Sequence, residues 1–237
     1  LANTLPLNGQ TTGAISDRFP VYFVPAGYVF SIWGVIYLGI VAFAIYQALP
    51  SQRQNPRLRR LGYLFMISCA ANVAWLFLWH YELFLATLVA MLSLLVTLVA
   101  IYRRLDGGLP HPSRVEKWVV DTPFSVYLGW ITVATIANVT VVLYYLQWDG
   151  WGIAFQVWAA VMLVVGAILA AAVSLPRRDV AYVLVILWAC VGIAVKQAAV
   201  PLVVNVALIA AGLLALAMVV SLALGGSHGR TNILSLN

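Results

Sequence analysis

The chain has 237 residues, of which 64% are hydrophobic and only 8% charged, with a formal net charge of +6 and a mean hydropathy of +0.98. Soluble domains carry about 25% charged residues, so this composition cannot cover a water-facing surface and excludes an ordinary soluble protein. It also argues against nucleic acid as a partner, because a small basic excess in so apolar a chain is what membrane proteins concentrate in their cytoplasmic loops.

In chain order, Leu1–Asn8 (LANTLPLN) reads as the end of an apolar helix emerging into water, without the charged and then apolar order of a complete signal peptide. Gly9–Phe23 has no apolar period and ends in Phe19, Tyr22 and Phe23, which predicts an external loop resting at the membrane interface, where aromatic rings are favoured. A bilayer core of about 30 Å needs about 20 apolar residues in a helix. Seven stretches meet that requirement: Ala26–Leu49, Leu61–His80, Leu83–Tyr102, Trp118–Leu146, Ile153–Leu175, Val180–Val195 and Ala198–Leu224. The polar pair Lys196-Gln197 ahead of Pro201 marks the break between the sixth and seventh. The apolar runs are too long, and too little alternating, for the strands of a barrel. The predicted fold class is therefore an all-α polytopic membrane bundle of about seven transmembrane helices.

Loop charge gives these helices an orientation. Arg53, Arg57, Arg59 and Arg60 follow the first helix; Arg103, Arg104, Arg114 and Lys117 follow the third; Arg177 and Arg178 follow the fifth; and Arg230 lies beyond the seventh. Only Arg18 and Lys196 fall on the other side. The positive-inside rule then puts the start of the chain outside and residues 225–237 in the cytoplasm as a tail. Cys69 and Cys190 fall inside apolar stretches without metal-type spacing and read as packing residues.

Side chains for acid–base or metal chemistry are scarce. Glu82 and Asp149 sit at helix ends, and Asp17, Asp106, Glu116 and Asp179 lie in loops or at borders. Asp121 is the exception: it either sits at the interface beside Arg114 and Lys117 or lines the mouth of a cavity. His80, His111 and His228 are scattered, with no HExxH spacing, and His80 reads as an interfacial residue rather than a haem ligand. No GxSxG turn or phosphate-cradling glycine loop is present. Lys196 sits at a helix boundary with no buried carboxylate facing it, which argues against a retinal site. The expectation is a non-enzymatic protein with no metal and no obligatory cofactor.

Aromatic residues are plentiful instead: nine Trp, eleven Tyr and nine Phe. Many suit interfacial belts, but Trp33, Trp75 and Trp130 fall well inside the first, second and fourth helices, as do the amides Asn72 and Asn138 in the second and fourth. A buried amide must pair with another helix or face a cavity. Asn72 and Trp75 share one helix face, as do Trp33 and Tyr37, and Trp130, Ala134 and Asn138 step by four. Flat aromatic walls with a few polar anchors suit either a packed bundle core or a large planar, mostly apolar ligand.

These residues resemble a known family. Val24–Tyr37 (VPAGYVFSIWGVIY) is similar to the Pro-Pro-Gly-Trp-x-Phe…Trp-x-x-x-Tyr signature of the TspO/translocator-protein family, the tryptophan-rich sensory proteins. Asn72–Leu78 (NVAWLFL) resembles its Asn-x-x-Trp-x-x-Phe-Phe helix, and Tyr127 through Asn138 resembles its last-helix Tyr-x-x-Trp-x-x-x-Ala-x-x-x-Asn pattern. Ala26 replaces the second proline, the proline ahead of the last-helix tryptophan lies earlier, at Pro123, and three helices from Ile153 to Leu224 have no counterpart. The family's first helix would precede the motifs, and Leu1–Asn8 fits its end.

The resemblance implies five helices around a pocket for porphyrins and related hydrophobic molecules, commonly in a dimer. It places Trp33, Tyr37, Asn72, Trp75, Trp130, Ala134 and Asn138 on that pocket. Residues 1–23 would then be an external loop, 24–146 a TspO-like core and 147–224 three additional helices. The implied function is binding or translocation of a tetrapyrrole, pigment or lipid, with family members in photosynthetic bacteria pointing to tetrapyrrole balance. The alternative is an accessory or assembly subunit of a larger membrane complex, photosynthetic complexes included. A third reading is enzymatic, such as pigment breakdown, although no residue supplies obvious acid–base machinery. The membrane implied is the bacterial inner one.

Overall fold

Long runs of Leu, Ile, Val and Ala without interior charge leave backbone amides no water to bond, so in lipid the chain must satisfy them within helices. The computed structural model, which describes residues 7–106 and 112–231 with side chains as far as Leu224, is built that way and has no strand among the described residues. Five helical stretches are long and apolar enough to cross a membrane: Gly27–Ala48, Phe84–Asp106, Arg114–Tyr145, Phe155–Ser174 and Pro201–Leu224. Two further apolar helices, Leu64–His80 and Val180–Lys196, have 17 residues each, the short end of the spanning range of about 17–25. The seven expected spans are all present. Large apolar side chains such as Leu38, Val89, Ile168 and Leu213 are mostly exposed, the inside-out distribution of an integral membrane protein.

The elements run α1 (Thr12–Asp17), a 3₁₀ turn (Gly27–Ser31) leading into α2 (Ile32–Ala48), α3 (Pro56–Leu61), α4 (Leu64–His80), α5 (Phe84–Asp106), α6 (Arg114–Glu116), α7 (Thr122–Tyr145), α8 (Phe155–Ser174), α9 (Val180–Lys196) and α10 (Pro201–Thr231). Several boundaries depart from the sequence expectation, each for a local reason. Gly9–Phe23 is not a plain loop. It folds α1, capped by the Thr11 side chain at Ala14 N (3.2 Å), and buries Thr12, Ile15 and Ser16. Six residues are too few to show an apolar period, and so short a helix is held by tertiary packing.

Gly62, at φ +52° and ψ −129°, breaks the second stretch into α3 and α4 with a backbone conformation that suits glycine. The fourth helix starts earlier than Trp118. Ser113 and Glu116 form a capping box, and a π-turn over Lys117–Asp121 absorbs Pro123, which has no N–H to donate to the preceding turn. At the other end α10 runs on to Thr231, past Leu224, where the tail 225–237 was expected to begin. Leu1–Pro6, His111 and the side chains of His228 and Arg230 lie outside the described residues.

Consecutive helices α4 and α5 pair across a tight turn at Glu82 (φ +61°), α5 packs on α7, and α2 leans on α7. Gly39 makes the last contact close, since a β-carbon there would sit 3.0 Å from the Pro123 ring. Helices α8, α9 and α10 pack together, and α9 carries them onto the rest of the bundle. Gly192 lies directly under Val29, and its carbonyl accepts from Ala26 N at 3.1 Å. Trp188 Nε1 donates to the Val29 carbonyl (3.2 Å), and the Tyr182 and Thr132 hydroxyls meet at 2.9 Å.

The basic end is cross-braced by polar groups. Asp179 Oδ2 accepts from Tyr102 OH (2.8 Å) and Ser125 Oγ (2.6 Å), while Arg177 pairs with Asp106 (2.9 Å) and covers the Tyr102 ring at 4.0 Å. Asp121 meets Arg57 at 2.8 Å, and buried Arg57 also donates to the Leu105 carbonyl. Asp121 is therefore an interfacial ion-pair partner, with Arg57 rather than Arg114 or Lys117 opposite it.

Candidate functional site

Trp33, 3% exposed, is the centre of the aromatic cluster. Its ring stacks on Tyr37 one turn along α2 (5.4 Å, 21°) and on Trp75 of α4 (6.4 Å, 26°). Trp130 of α7 meets it edge-on (6.2 Å, 82°), as does Tyr127 (6.1 Å, 69°). Trp75 stacks in turn on Trp79 (5.4 Å, 19°). These offset and edge-to-face arrangements are what ring quadrupoles favour. The stripes inferred for three separate helices thus meet in one place.

The amides fix the helices around these rings. Trp75 Nε1 donates to Asn138 Oδ1 at 3.0 Å, and Asn138 Nδ2 donates to Thr87 Oγ1 at 2.8 Å, so one side chain ties α7 to both α4 and α5. Asn72 Nδ2 donates to the Tyr37 hydroxyl over a longer 3.4 Å, and Asn72 Oδ1 has no partner.

Between the rings and α1 lies a narrow cleft of about 40 Å³. Trp33, Trp75, Trp130, Ala134 and Asn138 line it; Tyr37 and Asn72 form the layer behind, one turn nearer the basic end. All seven expected residues therefore belong to one cluster. Thr12, Ser16, Phe30 and Trp79 also line the cleft and were not anticipated. Trp79 was legible as the next turn on the Trp75 face; Thr12 and Ser16 were not, because nothing in a polar loop marks the residue that will be pressed against a distant helix.

Two polar atoms on this wall have no partner, the indole Nε1 of Trp130 and Oγ1 of Thr12. Unpaired polar atoms inside an apolar bundle are costly, and together they offer a donor and a hydroxyl to a polar atom of whatever enters. The volume admits about one water, whose share of liquid volume is about 30 Å³. Ligand pockets occupy about 300–1,000 Å³, so the cleft as it stands is much smaller than a ligand pocket.

Helix α1 lies over the cleft. Trp79 Nε1 donates to the Thr12 carbonyl (3.3 Å), Asn8 Nδ2 donates to the His80 carbonyl (3.0 Å), Arg18 pairs with Glu82 (2.9 Å) and Asp17 with Lys196 (2.5 Å). His80, the last residue of α4, is fully buried within the protein, with Nδ1 donating to the Leu76 carbonyl at 2.7 Å. No group of three or more His, Cys, Asp or Glu side chains among the described residues is arranged to hold a metal.

A family model for TSPO-like protein matches residues 1–220. The match covers the three motif-bearing helices α2, α4 and α7, and it continues through α8 and α9 and most of α10, so the C-terminal helices fall inside it. No curated protein and no solved structure matches the chain.

Proposed function

Since the chain belongs to the TSPO-like protein family, we propose that this integral membrane protein binds a planar, mostly apolar molecule of tetrapyrrole type between α2, α4 and α7. The observation that carries this reading is the Trp33–Trp75–Trp130 cluster beneath α1, with the Trp130 indole N–H and the Thr12 hydroxyl left unpaired at its wall. The ligand would part Trp33 from Trp75, lie against their faces and present a polar atom to Trp130 and Thr12. No carboxylate, lysine, cysteine or histidine lines the cleft, so the role is binding or carriage rather than acid–base catalysis.

Opening is energetically modest on this account. The two ion pairs that hold α1 are partly exposed, and such pairs contribute about 0.2–1 kcal/mol each. The Trp75–Asn138 bond adds about 0.6–1.7 kcal/mol on the scale of membrane hydrogen bonds.

Titration of the purified protein in nanodiscs with protoporphyrin IX, followed by tryptophan quenching and the porphyrin absorption band, tests the assignment. Saturable binding is expected, weakened about tenfold or more by Trp33→Ala and by Trp75→Ala. Binding that neither substitution changes, or no saturation at all, would refute it. The closed cleft favours one other reading, a subunit of a larger membrane complex whose aromatic cluster is simply packed core. Stable co-purification with other subunits, together with absent porphyrin binding, would select it.

A further inference from the structure

A cavity larger than the tryptophan cleft lies elsewhere among the described residues. It has a volume of about 340 Å³, lies between α7 and α8 at the end opposite the basic loops, and shares no lining residue with the tryptophan cleft. Ala134, Ala137 and Asn138 of α7 face the cleft, whereas Ile136, Val139 and Thr140 face this second space. We propose that it is a binding site for one hydrocarbon chain of a bilayer lipid.

Its shape favours a chain. Helices α7 and α8 are sequence neighbours, yet α8 packs mainly on α9 and α10, and the cavity lies between α7 and α8 beside their connecting turn. They close on each other deeper in the bundle, where a β-carbon on Gly166 would lie 3.6 Å from Ile136 Cδ1. The groove above that point runs along α7 from Ile136 to Tyr144, about 12 Å at 1.5 Å per residue. That direction is the direction of lipid chains, and the length is close to one leaflet, half of a core about 30 Å thick. The volume is also about twice that of a dry cavity of about 150 Å³ that takes up benzene.

Its chemistry calls for hydrocarbon. No Asp, Glu, Lys, Arg, His or Cys side chain lines the groove. The Thr140 hydroxyl is spent on the Ile136 carbonyl (2.9 Å), and Trp158 Nε1 on the Gly150 carbonyl (3.0 Å). A polar contact lies at the turn end, where Gln156 Nε2 donates to the Tyr22 hydroxyl (3.0 Å), and the Trp148 and Trp151 indoles and the Tyr144 hydroxyl belong to the same end. Trp148, Trp151 and Trp158 cap that end in mutual edge and tilted contacts of 5.3–5.8 Å. Trp151 holds its place with a left-handed backbone (φ +55°) that bulky residues rarely adopt. The long side is open: Val139, Tyr144 and Phe155 are 36–44% exposed on the lipid face of the bundle, so the occupant enters from the bilayer without crossing water.

The test is photolabelling in nanodiscs made of phosphatidylcholine carrying a diazirine in one acyl chain, with peptide mapping of the adducts. Adducts concentrated on residues 136–162, severalfold above other lipid-facing stretches such as those around Leu38 and Val89, are expected. Ala159→Trp, which fills the groove, and Val139→Trp, placed at its exposed lip, should each cut labelling there severalfold, whereas Trp75→Phe should leave it unchanged. Adducts spread evenly over all lipid-facing helices, or labelling insensitive to both filling substitutions, would overturn the proposal. So would labelling of the groove by a photoreactive porphyrin but not by the lipid. The measurement reads a different face of α7 from the tryptophan cleft, so either site can fail without the other.

Discussion

Asn138 is the polar residue on which the cluster turns, because it serves two helices at once. Replacing it with Ala removes the acceptor for Trp75 Nε1 and the donor to Thr87, leaving a buried indole N–H orphaned at a cost of about 1–3 kcal/mol. Asn72→Ala removes one 3.4 Å bond from an amide whose carbonyl is already unpaired, so its cost should be smaller, near the membrane average of about 0.6 kcal/mol. Thermal unfolding in detergent is expected to show a clearly larger drop in Tm for Asn138→Ala than for Asn72→Ala; equal drops would contradict this ranking. Much of the cluster was legible at this scale. Trp33 with Tyr37, Asn72 with Trp75, and Trp130 with Ala134 and Asn138 share faces by helical spacing alone. What spacing could not convey is which amide bonds which ring, since that depends on how far apart the helices stand.

At the scale of elements, close approach is set by small residues. Gly192 of α9 faces Val29, and any β-carbon there would overlap the valine side chain, whereas Gly34 on α2 has open space around it. Gly192→Ala should therefore destabilise the bundle, with overpacking costs of about 1–3 kcal/mol, while Gly34→Ala should be neutral or stabilising by up to about 1 kcal/mol through helix propensity. Comparing the two by chemical denaturation checks the assignment, and a neutral Gly192→Ala would mean that α9 does not press on the 3₁₀ turn. The spans themselves were readable from apolar length. The breaks were not: Gly62 and the π-turn before Pro123 occur inside apolar or mixed stretches, where hydropathy does not respond to a single backbone angle or a missing N–H. Helix α1 escaped notice for a related reason, since its order comes from the tryptophans it covers.

Across the whole molecule, the basic residues and the helix count reinforce each other. Ten of the basic side chains, from Arg53 to Arg178, sit at one end with the starts of α4 and α9, while Arg18 and Lys196 sit at the other with α1. Three crossings, α4, α5 and α7, separate Ser51 from Gln147, both exposed. In a background lacking Cys69 and Cys190, Ser51→Cys should react with an impermeant thiol reagent only from the cytoplasmic side and Gln147→Cys only from the other. Reaction of both from one side would contradict the seven-span arrangement. The C-terminal helices were visible as spans, but their attachment through Gly192, Trp188 and Tyr182 was hidden, because contacts between distant apolar segments leave no mark on either.

Helix α1 ends in two consecutive charged residues that reach in different directions. Asp17 holds Lys196 at the end of α9, and Arg18 holds Glu82 in the turn between α4 and α5. Helix α1 is thus fastened to both groups of helices, which are also joined to each other through α9. Both fastenings face water, where dissolved electrolyte weakens them over a distance of about 10 Å at 0.1 M. The hold of α1 on the helices beneath it is therefore expected to weaken as the ionic strength beside it rises.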